Sequence, residues 1–162
     1  MGDVSFRTTR INKLDAGIVN EDITLLVGKV RALALKMTDS RLARYGLDLR
    51  HYCILHELET DSAPSQRELA DYLNLEPRRA MSLLDSMETR GLVSRRTDPA
   101  DRRSNLIEMT EKGAETLAQC RVIVKAAEDE YLNVLEPEQV DQLREFLVAV
   151  ARPPFLDEYE EN

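Results

Sequence analysis

Two pairs of arginines in the middle of the chain are the side chains best suited to chemistry. Arg78 and Arg79 directly follow Pro77, and Arg102 and Arg103 lie in a polar loop between two strand-like stretches. A guanidinium group forms paired hydrogen bonds with guanine or with phosphate oxygens, so both positions suit contact with duplex DNA. With neighbouring polar residues they make up the candidate DNA-binding set: Ser65, Gln66, Arg78, Arg79, Ser82, Ser86, Arg95, Arg96, Asp101, Arg102 and Arg103.

The elements that must hold these residues can be predicted from local signals. Ser65 and Glu68 form a capping box that begins a short helix, and Asn74-Leu75 predicts a tight connection. Glu76-Pro77 begins a second helix over residues 76–90, since proline loses nothing at the first helical position. Strand-like stretches at 92–97 and 104–109 flank the polar loop and predict a hairpin. The pattern is that of a winged helix-turn-helix, with a recognition helix at 76–90 and a wing at 97–104.

Helical periodicity also flanks this region. It predicts a helix from Ile23 to Tyr45 ended by Gly46, and a second helix capped by Asp48. A long helix is predicted from Thr110 to about Leu135, and a final one from Pro137 to about residue 151. The long helix carries an apolar ladder that we expect to form a dimer interface: Leu117, Ile123, Val124 and Leu132. The predicted fold class is mainly α with a small β-hairpin wing (α+β).

The distribution of charge bears on whether the chain can bind nucleic acid. The net charge is −8, which taken alone argues against DNA. Residues 128–162 hold eleven acidic residues against two arginines, whereas residues 76–103 hold seven arginines against five acidic residues. The acidity is therefore concentrated in the C-terminal part, and the predicted DNA-binding region is locally positive.

Three motifs in this region resemble the MarR family of bacterial transcription regulators: SQRELADYLNL at 65–75, RGLV at 90–93, and DPADRRS followed by MTEKG, ending at Gly113. The resemblance extends over about residues 23–150. It implies a homodimer whose N- and C-terminal helices intertwine, and a repressor that binds a pseudo-palindromic operator until a small ligand or oxidation releases it. It also implies that Asp101 and Arg103 shape the wing, with the arginine at the minor groove.

On this basis the expected organisation has four parts. They are an N-terminal arm and dimerisation helix at 1–45, a DNA-binding lobe at 46–110, C-terminal dimerisation helices at 111–152, and an acidic tail at 153–162. The chain departs from the family at Arg78 and Arg79, where many relatives carry small hydroxyl residues. These extra charges favour a guanine-containing half-site or stronger phosphate contacts, and leave the operator sequence open.

A regulatory ligand and a redox sensor are further possibilities. Family ligands often bind between the dimerisation helices and the DNA-binding lobe, where Met37, Tyr45, Arg50 and His51 are candidates for holding a small aromatic or phenolic effector. Packing between the parts explains the same residues equally well. Cys53 and Cys120 are candidate oxidant sensors, as in some relatives, although two small core or interface residues are the simpler interpretation.

Other functional classes have less support. The segment from His51 to His56 contains metal-ligand residue types, but Thr60 stands where a zinc-protease motif needs its second histidine. We expect no enzyme activity, no cofactor and no metal. The absence of a long apolar segment and of a signal-peptide pattern predicts a cytoplasmic protein. The alternatives to a ligand-responsive DNA-binding regulator are a winged-helix protein-interaction module and a cysteine-based redox regulator.

Overall fold

The computed structural model describes residues 22–60 and 63–151, so the N-terminal arm and the acidic tail lie outside the described residues. Within them the chain forms six α-helices and one two-stranded antiparallel hairpin. Residues Asp22–Ala127 form one compact unit, and the described part of a second unit comprises residues 128–151. The mainly α fold with a β-hairpin wing is therefore confirmed.

The first two helices begin and end at the predicted signals. Helix α1 (Ile23–Leu42) is followed by a 3-10 turn (Ala43–Tyr45), and Gly46 ends it in the left-handed conformation, with φ of 67°. Helix α2 (Leu49–Glu57) is capped by Asp48, whose carboxylate accepts hydrogen bonds from the backbone N–H groups of Arg50 and His51. Asp48 thereby satisfies amides that have no partner inside the helix.

The helix-turn-helix consists of α3 (Gln66–Tyr72) and α4 (Pro77–Thr89). The tight turn between them contains Asn74 with a positive φ of 49°, which asparagine tolerates better than most residues. The backbone N–H of Leu75 donates to the carbonyl oxygen of Ala70 at 2.9 Å and closes the turn. Leu69 and Ala70 of α3 are buried together with Leu84 of α4, so the inner faces fix the two helices in the core.

The wing consists of β1 (Val93–Thr97) and β2 (Asn105–Met109), paired antiparallel with Val93 opposite Met109 and Thr97 opposite Asn105. Ser65 forms an isolated bridge to Leu106, and the N–H of Ile107 donates to the carbonyl oxygen of Pro64 at 2.9 Å. The start of α3 is therefore hydrogen-bonded to the outer edge of the wing.

Helix α5 (Glu111–Tyr131) begins after Thr110, whose hydroxyl oxygen accepts from the N–H of Gly113 and donates to the carbonyl of Gly91. It ends four residues before the predicted end at Leu135. A turn closed by the Leu135 N–H and the Leu132 carbonyl replaces its last residues, and the residue before Pro137 is biased away from helix. Helix α6 (Pro137–Ala151) begins where predicted.

The core of residues 22–127 is aliphatic and draws on every α-helix and both strands of this unit. Its largest fully buried side chains are Leu42, Ile54, Leu55, Leu69, Leu84, Met87, Leu92, Ile107, Leu117 and Cys120. Burying one such leucine contributes about 1.5–3 kcal/mol. Leu117 and Val124 belong to this core, so the prediction that their ladder forms a dimer interface is wrong for these two residues. Leu117 and Val124 instead pack α5 against its own subunit.

Candidate nucleic-acid interface

Helix α4 presents a polar face to solvent and an apolar face to the core. Ala80, Leu84 and Met87 are buried, while Arg78, Arg79, Ser82 and Ser86 are exposed. Among the described residues, neither arginine side chain has a hydrogen bond or ion pair. Two cations at the start of a helix are unfavourable for the helix dipole, since that end carries partial positive charge. Their position is therefore better explained by an external anion than by stabilisation of the helix.

Helix α3 holds its own start in place through the capping box. The N–H of Ser65 donates to the Glu68 carboxylate at 2.7 Å, and the Ser65 hydroxyl oxygen accepts from the Glu68 N–H at 3.2 Å. These hydrogen bonds hold the pKa of Glu68 below its ordinary value. Ser65 is therefore committed to the helix cap, whereas the next residue, Gln66, lines the cleft described below.

The wing tip is a set of turns stabilised by its aspartates. The Asp98 N–H donates to the Ser104 carbonyl at 3.0 Å, and the Asp101 carboxylate accepts from the Arg103 N–H at 2.9 Å. Asp101 thus shapes the turn with its side chain. The side chains of Arg102 and Arg103 are exposed and form no hydrogen bond or ion pair in residues 22–60 and 63–151.

The two strand arginines are placed differently from the wing-tip pair. Arg95 lies beside α4, where its guanidinium binds the carboxylates of Asp85 at 2.6 Å and Glu88 at 2.5 Å. These hydrogen bonds raise the pKa of Arg95 against the opposing effect of its burial. Its side chain is only 18% exposed, which leaves little of Arg95 available for the direct DNA contact that the sequence predicts. Arg96 is more exposed and pairs with Glu108 across the hairpin.

A cleft of about 460 Å³ separates α3, α4 and the wing. Its lining includes Gln66 and Arg67 from α3, Met81 and Asp85 from α4, and Arg103 near the wing tip. Met81, which is absent from the predicted DNA-binding set, is 53% exposed on the polar face of α4. Counting from the buried Ala80, Leu84 and Met87 places it off the apolar stripe, and that offset is the signal in the sequence.

A second groove, of about 440 Å³, lies between the start of α2 and the exposed face of α4. Arg50 and His51 line it together with Arg79 and Ser82, whereas Met37 and Tyr45 do not. The His51 ring nitrogen Nδ1 lies 2.7 Å from the Asp48 carboxylate. This hydrogen bond is the main reason that the pKa of Asp48 falls to about 2. Two of the four expected ligand residues are therefore brought together with residues of α4.

The two cysteines lie in surroundings that oppose thiolate formation. Burial raises the pKa of Cys53, and the negative charges of Asp48 and Asp39 raise it further. Burial also raises the pKa of Cys120, and the smaller opposing effect of Arg90 does not reverse it. A sensor cysteine needs a lowered pKa and exposure. The geometry favours core packing for Cys120, which is 1% exposed.

The described ranges contain neither a metal-ligand cluster nor a membrane-spanning helix. No cluster of three or more His, Cys, Asp or Glu side chains there has the geometry to hold a metal ion. None of the helices described is both long and apolar enough to cross a membrane.

Both flanking helices expose apolar side chains. On α1 the exposed set is Ile23, Leu25, Leu26, Val27, Val30 and Leu33, with Ile23 77% exposed. On α6 it is Phe146, Leu147, Val148 and Val150. Soluble monomers rarely leave contiguous apolar surfaces of this kind in water, so each helix has a face suited to a partner.

A family model and solved structures both match this chain to the MarR family. A family model described as MarR family matches residues 45–104. A MarR-family transcriptional regulator from Rhodococcus sp. RHA1 is 32% identical, with a TM-score of 0.77, and the match covers 86% of this chain and 99% of that one. CouR from Rhodococcus jostii, solved with p-coumaroyl-CoA bound, is 31% identical with a TM-score of 0.71, covering 83% and 95% of the two chains.

A more distant match shows the fold alone. A mutant of MarR from E. coli, solved in complex with operator DNA, is 22% identical with a TM-score of 0.67. The match covers 80% of this chain and 93% of that chain. The shared fold therefore includes helices that precede the wing in sequence and helices that follow it.

Proposed function

Because the chain belongs to the MarR family of transcriptional regulators, we propose that it binds a pseudo-palindromic DNA operator as a homodimer and represses transcription. Its recognition helix enters the major groove and its wing approaches the minor groove. Relatives of this family are transcriptional regulators and not enzymes.

The observation that supports this proposal is the exposure of four arginines. Arg78 and Arg79 at the start of α4, and Arg102 and Arg103 at the wing tip, are exposed and have no partner among the described residues. Three acidic groups of the same region are already engaged: Asp85 and Glu88 by Arg95, and Asp101 by the turn. This face is therefore locally positive despite the net charge of −8, as binding to phosphate requires.

The homodimer is supported by the exposed apolar side chains of α1 and α6. Two-fold symmetry would present two recognition helices to successive major grooves, about 34 Å apart on one face of the duplex. The proposed operator therefore has two half-sites in inverted orientation. The native mass of the purified protein tests the dimer directly, and a monomer at micromolar concentration would contradict it.

The second groove is where we propose that a small aromatic or phenolic effector binds. Its volume lies within the usual range for ligand sites, about 300–1,000 Å³. Arg50 and Arg79 supply positive charge, and Leu75 and Leu83 supply apolar surface. Because Arg79 belongs to both the groove and the DNA-binding face, an anionic effector that binds Arg79 withdraws it from DNA. CouR, bound to p-coumaroyl-CoA, shows that a relative holds an aromatic thioester.

The deciding experiment is selection of bound duplexes from a random pool, followed by footprinting on the enriched site. We expect one symmetric site of about 16–22 base pairs, with affinity that falls steeply as salt rises. Arg79→Ala with Arg103→Ala should abolish protection, while Lys125→Ala on α5 should leave it intact. Failure to enrich any sequence, together with purification as a one-to-one complex with another protein, would instead favour a protein-interaction module.

A further inference from the structure

Met81, on the exposed face of α4, is apolar and therefore unsuited to a phosphate contact. Met81 is the only large apolar residue that is exposed on this helix, all of which lies in the described part of the chain. The other exposed side chains from Arg78 to Thr89 are charged or hydroxylated. A single exposed apolar side chain is common on protein surfaces, so the place of Met81 beside Gln66 and Arg103, and not its exposure alone, points to a contact outside the subunit.

The surroundings of Met81 define what that contact can be. It lines the cleft between α3 and the wing together with Gln66 and Arg103. It also lines a further depression, of about 490 Å³, with Ala70 and Pro77, where the surface is mostly apolar. Asp85, one turn further along α4, is bound to Arg95 at 2.6 Å and does not present a free carboxylate beside Met81.

The major groove offers one apolar group at the edges of its base pairs, the C5-methyl group of thymine. A flexible thioether side chain can adapt to that methyl group without exact alignment. Gln66 lines the same cleft and carries the donor and acceptor that match the adenine edge, so both residues favour an A·T pair. From this placement we infer that Met81 selects thymine at one position of each half-site, by apolar contact with its methyl group. The inference rests on the proposed DNA-binding function.

Replacing thymine by deoxyuridine tests this contact, because it removes the methyl group and leaves base pairing intact. Each thymine of the selected site is replaced in turn, and binding of the full-length protein is measured by fluorescence anisotropy. At one position per half-site we expect about fourfold weaker binding, and about fifteenfold when both half-sites are changed, as for loss of one buried methyl contact. Met81→Ala should bind thymine and deoxyuridine equally there, and Met81→Leu should restore the preference.

The outcomes separate this inference from the function on which it rests. Equal affinity of the wild-type protein for thymine and deoxyuridine at every position, on a site that it clearly selects, overturns the role of Met81 alone. A preference that persists in Met81→Ala also overturns it, because another residue then contacts the methyl group. If no sequence is selected at all, the DNA-binding function itself fails. Circular dichroism verifies that the variants fold, as the exposure of Met81 leads us to expect.

Discussion

Arg90, at the end of the recognition helix, donates a hydrogen bond from its guanidinium to the backbone carbonyl oxygen of Gly46 at 2.6 Å. A second bond reaches the carbonyl of Tyr45 at 2.9 Å. Gly46 adopts a positive φ, and its carbonyl lies at the end of the 3-10 turn that follows α1. One side chain therefore joins the C-terminal end of α4 to the end of the flanking helix.

We expect Arg90→Ala to lower the free energy of unfolding by about 1.5 kcal/mol, the lower part of the range for hydrogen bonds to a charged group. The partial exposure of Arg90 is the reason for taking the lower part. Urea denaturation measures the change. Arg67→Ala is the matched control, because the Arg67 side chain is 92% exposed and its ion pair with Asp71 is long, at 3.9 Å. Equal losses in the two variants would contradict a special role for Arg90.

The ion pairs of Arg95 lead us to predict changes in both DNA affinity and stability when this residue is replaced. Arg95→Ala leaves Asp85 and Glu88 unpaired on α4, the helix proposed to face DNA, so DNA affinity should fall by about tenfold through repulsion of phosphate. Stability should fall by only about 1 kcal/mol, because both carboxylates are well exposed. Adding Asp85→Asn and Glu88→Gln to Arg95→Ala should restore most of the affinity. If the triple variant binds as weakly as Arg95→Ala, the loss is not electrostatic.

The pair formed by Asp48 and His51 predicts a pH dependence of stability. The folded pKa of Asp48, about 2, lies below the ordinary 3.8, so its carboxylate stabilises the folded state at and above neutral pH. That contribution is lost as the pH falls from about 4 towards 2, and amounts to about 1 kcal/mol after allowance for partial exposure. Carbon NMR titration should show the pKa rising clearly in His51→Gln. The control Arg50→Gln should change it less, since Arg50 is the weakest of the causes.

Gly113 is required by the close approach of α5 to the base of the wing. A Cβ atom there would lie 2.2 Å from the Leu92 carbonyl oxygen and 2.8 Å from Cγ of Met109. Gly113→Ala should therefore cost about 3 kcal/mol, at the upper end for overpacking. Gly28→Ala on α1 is the control: apart from the neighbouring backbone of α1, no atom of the described residues lies within 4 Å of a Cβ placed there, so we expect a gain of about 0.5–1 kcal/mol. A loss at Gly28 that depends on protein concentration would indicate a contact with a second copy.

Most helix boundaries of the fold follow from local sequence signals. Asp48, Ser65, Pro77 and Gly46 mark helix ends through their own backbone or side-chain chemistry, and each lies where the sequence predicted. Local signals do not predict what a helix packs against, because periodicity identifies an apolar face without identifying its partner. Leu117 was therefore assigned to a dimer interface although it packs in the core of its own subunit.

The candidate site likewise contains residues that the sequence predicts and contacts that it does not predict. Arg78 and Arg103 follow from the positions of the helix start and the wing loop. The partners of Arg95 do not, because Asp85 and Glu88 meet it only when the hairpin folds back onto α4. Whether an arginine faces DNA or binds two carboxylates is decided by contacts between elements, and residue type alone gives no indication of it.

The exposed side chains of α4 have a consequence for how this regulator can change over evolutionary time. Arg78, Arg79 and Met81 lie outside the core, whereas Ala80, Leu84 and Met87 hold the helix in place from the other side. Surface substitutions remote from caps and networks usually change stability by less than about 0.5 kcal/mol. Mutation can therefore exchange the residues proposed to contact bases one at a time in a chain that still folds. Duplicated copies of such a gene can acquire new target sites without first acquiring a more stable fold.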